Sequence, residues 1–85
     1  MNNPVIVAHN LNRWYDSDGK FHRDNGPAVI YPNGDEEWYQ HGDLHRTDGP
    51  AIECANGRKF WVLNDQFLAF EIWLDEVDIP DEKRL

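Results

Sequence analysis

Hydrophobic and polar positions along the chain predict short strands that recur at regular intervals. Runs of strand-forming residues, separated by Gly-bearing turns, lie at about 28–31, 36–39, 44–46, 51–54, 59–62 and 67–68, with three more degenerate strands before them. The period then changes, because Phe70, Trp73, Leu74 and Val77 fall at i, i+3, i+4 and i+7. That spacing predicts one amphipathic helix from about Phe70 to Val77. The fold class predicted is mainly β, an antiparallel meander closed by a short C-terminal helix.

The strands belong to an internal repeat with a period of 23 residues. Pro4, Pro27 and Pro50 share this spacing, and so do many Gly, Asn and aromatic positions. The units 4–26, 27–49 and 50–72 follow the pattern P-A-[VI]-x-x-x-N-G-x-x-x-W-[YV]-x-x-G-x-[LF]-H-R-x-x-G, the first unit being a worn copy with one extra residue before Gly19. A fixed period indicates one supersecondary unit stacked on copies of itself. We expect a single domain over residues 1–85, with a helical cap at about 70–85.

Comparison of the units predicts turn types and an aromatic ladder. Asn33-Gly34 and Asn56-Gly57 favour type I′ turns, since Asn and Gly both tolerate positive φ. Trp38 and Trp61 occupy equivalent positions, and we expect their rings to contact each other as rungs of a ladder.

The repeat also predicts which strand residues face the core. Ile30 in one unit becomes Glu53 in the next, so this column should face water. Because side chains alternate along a strand, the column of Val29 and Ile52 and that of Tyr31 and Cys54 should then face the core.

Charge and cysteine content narrow the possible partners. The chain has 16 acidic residues against eight Lys and Arg, a formal charge of -8, and it has one cysteine, Cys54. Such a charge disfavours direct binding to a nucleic-acid backbone or to an anionic membrane. A lone cysteine without a disulfide framework favours a reducing, cytoplasmic location. We expect no direct nucleic-acid partner and no membrane partner.

The repeat motif resembles a known family. The segments 22–28 (HRDNGPA), 45–51 (HRTDGPA) and 38–42 (WYQHG) resemble MORN-type repeats, in an H-R-x-x-G-P-A variant of small phage and bacterial proteins. The resemblance covers about residues 4–68. It implies a hairpin-repeat sheet that serves as a binding or scaffolding surface without known catalysis, in the cytoplasm of a bacterial host. The structural repeat positions are His22, Arg23, Gly26, Trp38, His45, Arg46, Gly49 and Trp61.

Candidate catalytic and metal-binding residues have simpler interpretations as parts of the repeat. His41 and His45 are four residues apart, with His22 and Cys54 in other units, but His22 and His45 are equivalent positions that the repeat already explains. The neighbouring acidic residues that could act as a catalytic pair lack the apolar surroundings that would raise the pKa of one carboxyl group. We expect no catalytic residue, cofactor or metal ligand, and no enzymatic activity.

The acidic residues are the best candidates for binding a partner. We expect an acidic face that docks on the basic surface of a host protein, formed by Asp35, Glu36, Glu37, Asp75, Glu76, Asp78, Asp81 and Glu82. The leading hypothesis is a phage-encoded inhibitor of a host nucleic-acid-directed defence protein, of the anti-CRISPR or anti-restriction type. The alternatives are a MORN-like scaffold that self-associates, for example as a homodimer, and a small-ligand binder that uses Trp38, Tyr39, Trp61 and Trp73.

Overall fold

The computed structural model describes residues 3–7 and 11–77. Nine strands and one helix follow in chain order: β1 (Asn3–Val7), β2 (Leu11–Tyr15), β3 (Val29–Ile30), β4 (Glu36–Glu37), β5 (Tyr39–Gln40), β6 (Asp43–Leu44), β7 (Ile52–Glu53), β8 (Lys59–Leu63), β9 (Gln66–Leu68) and α1 (Phe70–Glu76). The mainly β fold class and the C-terminal helix are confirmed. Within the described residues, no helix has the length and apolar character needed to cross a membrane.

The main sheet is an antiparallel meander of seven strands in the order β1-β2-β3-β4-β7-β8-β9. The interruption between β4 and β7 arises because β5 and β6 pair only with each other, as a separate two-stranded hairpin. The second unit therefore contributes sheet strands, a separate hairpin and a loop that leads back to the sheet, whereas the hairpin β8–β9 of the third unit belongs to the main sheet. Residues 22–27 and 45–50, which carry the H-R-x-x-G-P sequence, are these loops.

The type I′ turns lie at a different point of the repeat from the one predicted. In the Asn33-Gly34 and Asn56-Gly57 turns only the glycines have positive φ, +98° and +94°. The N–H of Gly34 donates to Tyr31 O and that of Tyr31 to Asp35 O, both at 2.9 Å, which is a longer loop with a Gly bulge. The two-residue type I′ loops are His41-Gly42 and Asn64-Asp65, where both residues have positive φ.

The predicted ladder of tryptophans is wrong, because an alanine lies between successive indoles. The N–H of Trp14 donates to Ala28 O at 2.8 Å, and that of Trp38 donates to Ala51 O at 2.7 Å. The indoles are therefore two strands apart, about 10 Å at the usual strand spacing. Among the described residues no ring contact joins Trp38 to Trp61. Both alanines are fully buried. A larger side chain at either position would displace the flanking rings.

The prediction that Val29 faces the core is correct, whereas the same prediction for Tyr31 is wrong. Val29 is 2% exposed and belongs to the core with Ala28, Ala51, Val62 and Trp73. Tyr31, predicted to face inward, is 36% exposed, and its hydroxyl donates to Glu37 Oε1 at 3.1 Å. The strand ends at Ile30, so the alternation of a regular strand no longer fixes where Tyr31 points.

Candidate functional site

The two arginines of the repeat lie flat over tryptophan rings. The guanidinium carbon of Arg46 is 3.7 Å from the centre of the Trp38 ring, and that of Arg23 is 4.0 Å from the Trp14 ring. Both arginines also donate from Nη1 to a proline carbonyl at 3.1 Å, Arg23 to Pro27 O and Arg46 to Pro50 O. Cation–π stacking and a buried carbonyl partner together hold each H-R-x-x-G-P loop against the sheet.

The glycine of the motif is required by the arginine. A Cβ on Gly26 would lie 2.7 Å from Arg23 Cζ, and one on Gly49 would lie 2.6 Å from Arg46 Cζ. Neither glycine has positive φ, so the reason is space and not backbone conformation. The guanidinium is enclosed between an indole ring and a glycine α-carbon, which explains the fixed spacing of Arg and Gly.

The motif histidines join successive units. His22 Nδ1 accepts a hydrogen bond from the backbone N–H of His41 at 3.0 Å, and His45 Nδ1 accepts one from the N–H of Asn64 at 3.1 Å. Both donors are the first residue of a type I′ turn in the following unit. His22 and His45 therefore fix the position of the next hairpin, which is a structural role, as the repeat predicted.

The C-terminal helix supplies two side-chain interactions that the third repeat unit lacks. Ala69 stands where an arginine would cover Trp61, and the ring of Trp73 lies there instead, 4.6 Å from the Trp61 ring. Trp73 Nε1 also donates to Arg46 O at 2.9 Å, as Gln40 Nε2 donates to Arg23 O in the preceding unit. Leu63, the equivalent of Gln40, has no donor, so one helical side chain supplies both missing interactions.

A polar groove of about 700 Å³ opens between the two motif loops. One wall comes from the loop of the first unit, the other from the loop of the second unit, and the hairpin β5–β6 lies between them. Its lining residues are Asp24, Asn25, Trp38, Gln40, His41, Asp43, His45, Arg46, Thr47, Asp48 and Asn64. Three carboxylates face one guanidinium, so the groove carries net negative charge with its histidines neutral.

The cation in the groove is already neutralised within the protein. Arg46 forms ion pairs with Asp48 at 2.8 Å and with Glu53 at 3.0 Å. Asp48 is only two residues from Arg46 along the chain, whereas the pairing with Glu53 depends on the loop lying over β7. The carboxylate of Asp43 is exposed on the hairpin β5–β6 and lines the groove, and no ion pair joins it to another residue within 3–7 or 11–77.

The predicted acidic cluster on β4 is largely used inside the protein. Asp35 Oδ1 accepts the N–H of Ala55 at 2.7 Å. Glu37 Oε1 accepts the hydroxyl of Tyr31, and also that of Tyr39 at 3.0 Å. Burial and the Glu37 carboxylate raise the pKa of both tyrosines above the usual value. Of the three predicted acids, Glu36 has no side-chain hydrogen bond or ion pair to another described residue, and it lies directly opposite Glu53 on β7.

The acids of the C-terminal segment lie apart from that cluster. Glu71, Asp75 and Glu76 are exposed on α1, which packs on β8, two strands from β4 across the sheet. The predicted residues Asp78, Asp81 and Glu82 lie outside the described residues. The sequence predicted that Asp35, Glu36 and Glu37 form one acidic face with Asp75 and Glu76; in the structure Glu36 and Glu37 lie on β4, and Asp75 and Glu76 lie on α1.

A second cluster lies beside the groove, where Asp16 meets His22 and His41, a grouping that the sequence did not indicate. His41 Nδ1 donates to Asp16 Oδ2 at 2.8 Å, and the rings of His22 and His41 stack with centres 4.1 Å apart. The hydrogen bond from His41 and the backbone N–H of Lys20 lower the pKa of Asp16 to about 2. The sequence feature that could have indicated this cluster is the extra residue of the first unit, because it creates the turn that carries Asp16.

The three tryptophans proposed for a ligand-binding face all pack against other side chains. Arg46 lies over Trp38, and Trp73 lies over Trp61 while being 2% exposed itself. Comparison with protein-family models, with curated proteins and with solved structures gives no match for this chain.

Proposed function

We propose that this protein is a non-enzymatic interaction module whose acidic groove binds a basic side chain or segment of a partner protein. The groove between the motif loops is the observation that carries the proposal, because its carboxylates outnumber its one guanidinium. That guanidinium is paired with Asp48 and Glu53, and the exposed Asp43 is the groove carboxylate that we expect to meet the cation of the partner.

The chain as a whole supports the same partner class. Its formal charge of -8 attracts a basic surface over a distance of about 8–10 Å at moderate salt. Opposite charge speeds encounter and disfavours acidic partners. Proteins that bind nucleic acids carry the basic surfaces that this charge would complement. We therefore extend the proposal to inhibition, in which the module covers the basic surface of a nucleic-acid-directed protein and excludes its nucleic acid.

The test starts with affinity capture of the tagged protein from bacterial lysate at low and high salt, with the bound proteins identified by mass spectrometry. The dissociation constant for the recovered partner is then measured with charge-reversal variants. Asp43→Lys places a cation in the groove, and Glu76→Lys places one on the helix. Asp18→Lys is the matched control, because Asp18 is an exposed acid on a turn outside the groove.

We expect one basic partner that binds only at low salt, with at least a tenfold loss for Asp43→Lys, about 1.4 kcal/mol. Asp18→Lys should bind like the wild type. Equal loss in all three variants would indicate long-range attraction without a specific groove. A partner that binds equally at high salt and to Asp43→Lys would refute the proposal, and recovery of the protein alone would favour self-association.

A further inference from the structure

We propose that Asp16, His22 and His41 form a binding site for one divalent transition-metal ion of the Zn²⁺ class. One ligand atom from each residue lies within 4.8 Å of the others, a spacing that a small rearrangement converts to a coordination shell. Two imidazoles and a carboxylate are a donor set that suits Zn²⁺, Co²⁺ and Ni²⁺, whereas Ca²⁺ and Mg²⁺ require oxygen ligands. Three protein ligands leave a fourth position for water.

Asp16 is held in position before any ion binds. Its Oδ1 accepts the backbone N–H groups of Asp18 at 2.9 Å and of Lys20 at 3.0 Å. Its Oδ2 is thereby directed to His41, and the side chain is 9% exposed.

The contact between Asp16 and His41 is not part of the repeat. The bond from the turn N–H to the motif histidine recurs in the next unit, where Asn64 takes the place of His41. Asn64 is a residue that tolerates positive φ, and an imidazole is not needed at this position to form the turn. The ring of His41 and its partner Asp16 are therefore extra features of the first two units, with no structural role that the third unit shares.

His22 already has the outer partner that metal-binding histidines use. His22 Nδ1 accepts a hydrogen bond from the N–H of His41, so the neutral ring carries its proton on Nε2. This Nε2–H donates a hydrogen bond to Asp24 Oδ1 at 2.8 Å. A carboxylate on the far nitrogen orients the ring and makes it a stronger ligand. The ion would then bind at Nδ1 and replace the N–H of His41, which lies on an exposed turn where water can satisfy it.

His41 is able to make the required adjustment. Its side chain is 71% exposed, and its Nδ1 lies 2.8 Å from Asp16 Oδ2. An ion that replaces the shared proton needs bonds of about 2.0–2.2 Å to each atom, so this separation must widen. The movement involves the ring and the backbone N–H of His41, which lies on an exposed turn, whereas Asp16 and His22 stay in place.

The test measures metal content and affinity directly. The purified protein is dialysed against Zn²⁺, its metal content is measured by mass spectrometry, and binding is followed by titration calorimetry. Co²⁺ serves as a second probe, because its visible absorption reports a four-coordinate site with nitrogen ligands. His41→Asn removes a ligand but installs the residue that the next unit uses at this turn, so it should fold. Asp18→Asn removes a neighbouring carboxylate outside the site and is the control.

We expect one Zn²⁺ per chain for the wild type and for Asp18→Asn, and at least a tenfold weaker affinity for His41→Asn. Asp16→Asn should weaken binding similarly, with the Co²⁺ absorption lost in both variants. The proposal is overturned if the wild type binds no Zn²⁺, or if His41→Asn binds as tightly as the wild type. The second result would show that His41 is not a ligand of the bound ion.

Discussion

Removal of the Trp73 side chain should remove a large part of the stability of this fold. Trp73 is 2% exposed, its ring contacts Trp61 and Phe70, and its Nε1 satisfies the Arg46 carbonyl. Truncation of a buried tryptophan to alanine costs about 3–5 kcal/mol. A chain of this length has a total stability of about 4–13 kcal/mol, so Trp73→Ala should remove between about a quarter and all of it.

A more conservative change separates the two roles of this residue. Trp73→Phe keeps an aromatic ring over Trp61 but removes the donor to Arg46 O. An unsatisfied buried carbonyl costs about 1–3 kcal/mol, so this variant should be intermediate. Ile72→Ala is the matched control, because Ile72 lies next to Trp73 on α1 but is 53% exposed. We expect the control to change stability by less than about 0.5 kcal/mol.

The assay is urea denaturation followed by far-UV circular dichroism, which does not depend on the fluorescence of the mutated residue. The order of midpoints should be wild type and Ile72→Ala, then Trp73→Phe, then Trp73→Ala. If Trp73→Ala lost less than about 1 kcal/mol, the helix would not be the closure of the repeat array. If Trp73→Phe matched the wild type, the bond to the Arg46 carbonyl would contribute nothing measurable.

Three further predictions test the repeat and its charges. Gly49→Ala should lower the free energy of unfolding, measured by urea denaturation, by about 1–3 kcal/mol, because the new Cβ displaces the Arg46 guanidinium. In an Arg46→Ala background the same change should cost little, and an unchanged cost there would refute the steric explanation. Glu36→Gln should raise the free energy of unfolding by about 0.2–1 kcal/mol, less so at high salt, because Glu36 lies opposite Glu53; any loss of stability would contradict this. Burial raises the pKa of Tyr39, so this tyrosine ionises at lower pH in the unfolded chain than in the folded one, and the free energy of unfolding should fall as pH rises above about 10. In the folded protein the tyrosinate absorbance of Tyr39 should appear at higher pH than in the unfolded chain, and its appearance at the same pH in both would contradict this prediction.

The candidate sites were less predictable than the fold. The sequence identified Arg46, His45 and Gly49 as structural positions, because equivalent residues recur after 23 positions. It also grouped Asp35, Glu36 and Glu37 as a binding surface. Composition alone could not reveal that the Glu37 carboxylate accepts two tyrosine hydroxyls, since Tyr31 and Tyr39 come to it from different elements.

The turn chemistry shows why a local motif was insufficient. An Asn-Gly pair permits a type I′ turn, but in both units the flanking residues form a longer loop with a Gly bulge. The type I′ conformation occurs instead at His41-Gly42, where the N–H of the first turn residue is held by His22 from the preceding unit. A contact between units therefore selects the position of the tight turn.

The sequence by itself determined the mainly β meander, the 23-residue unit and the helix that begins at Phe70, because periodicity depends on neighbours along the chain. Only the tertiary structure decided that Trp and Ala alternate across the strands, that Trp73 stands in for a missing arginine, and that Asp16 meets His41. These contacts join residues from different units or elements. Their geometry depends on strand register and on the path of the loops over the sheet, which no local pattern specifies.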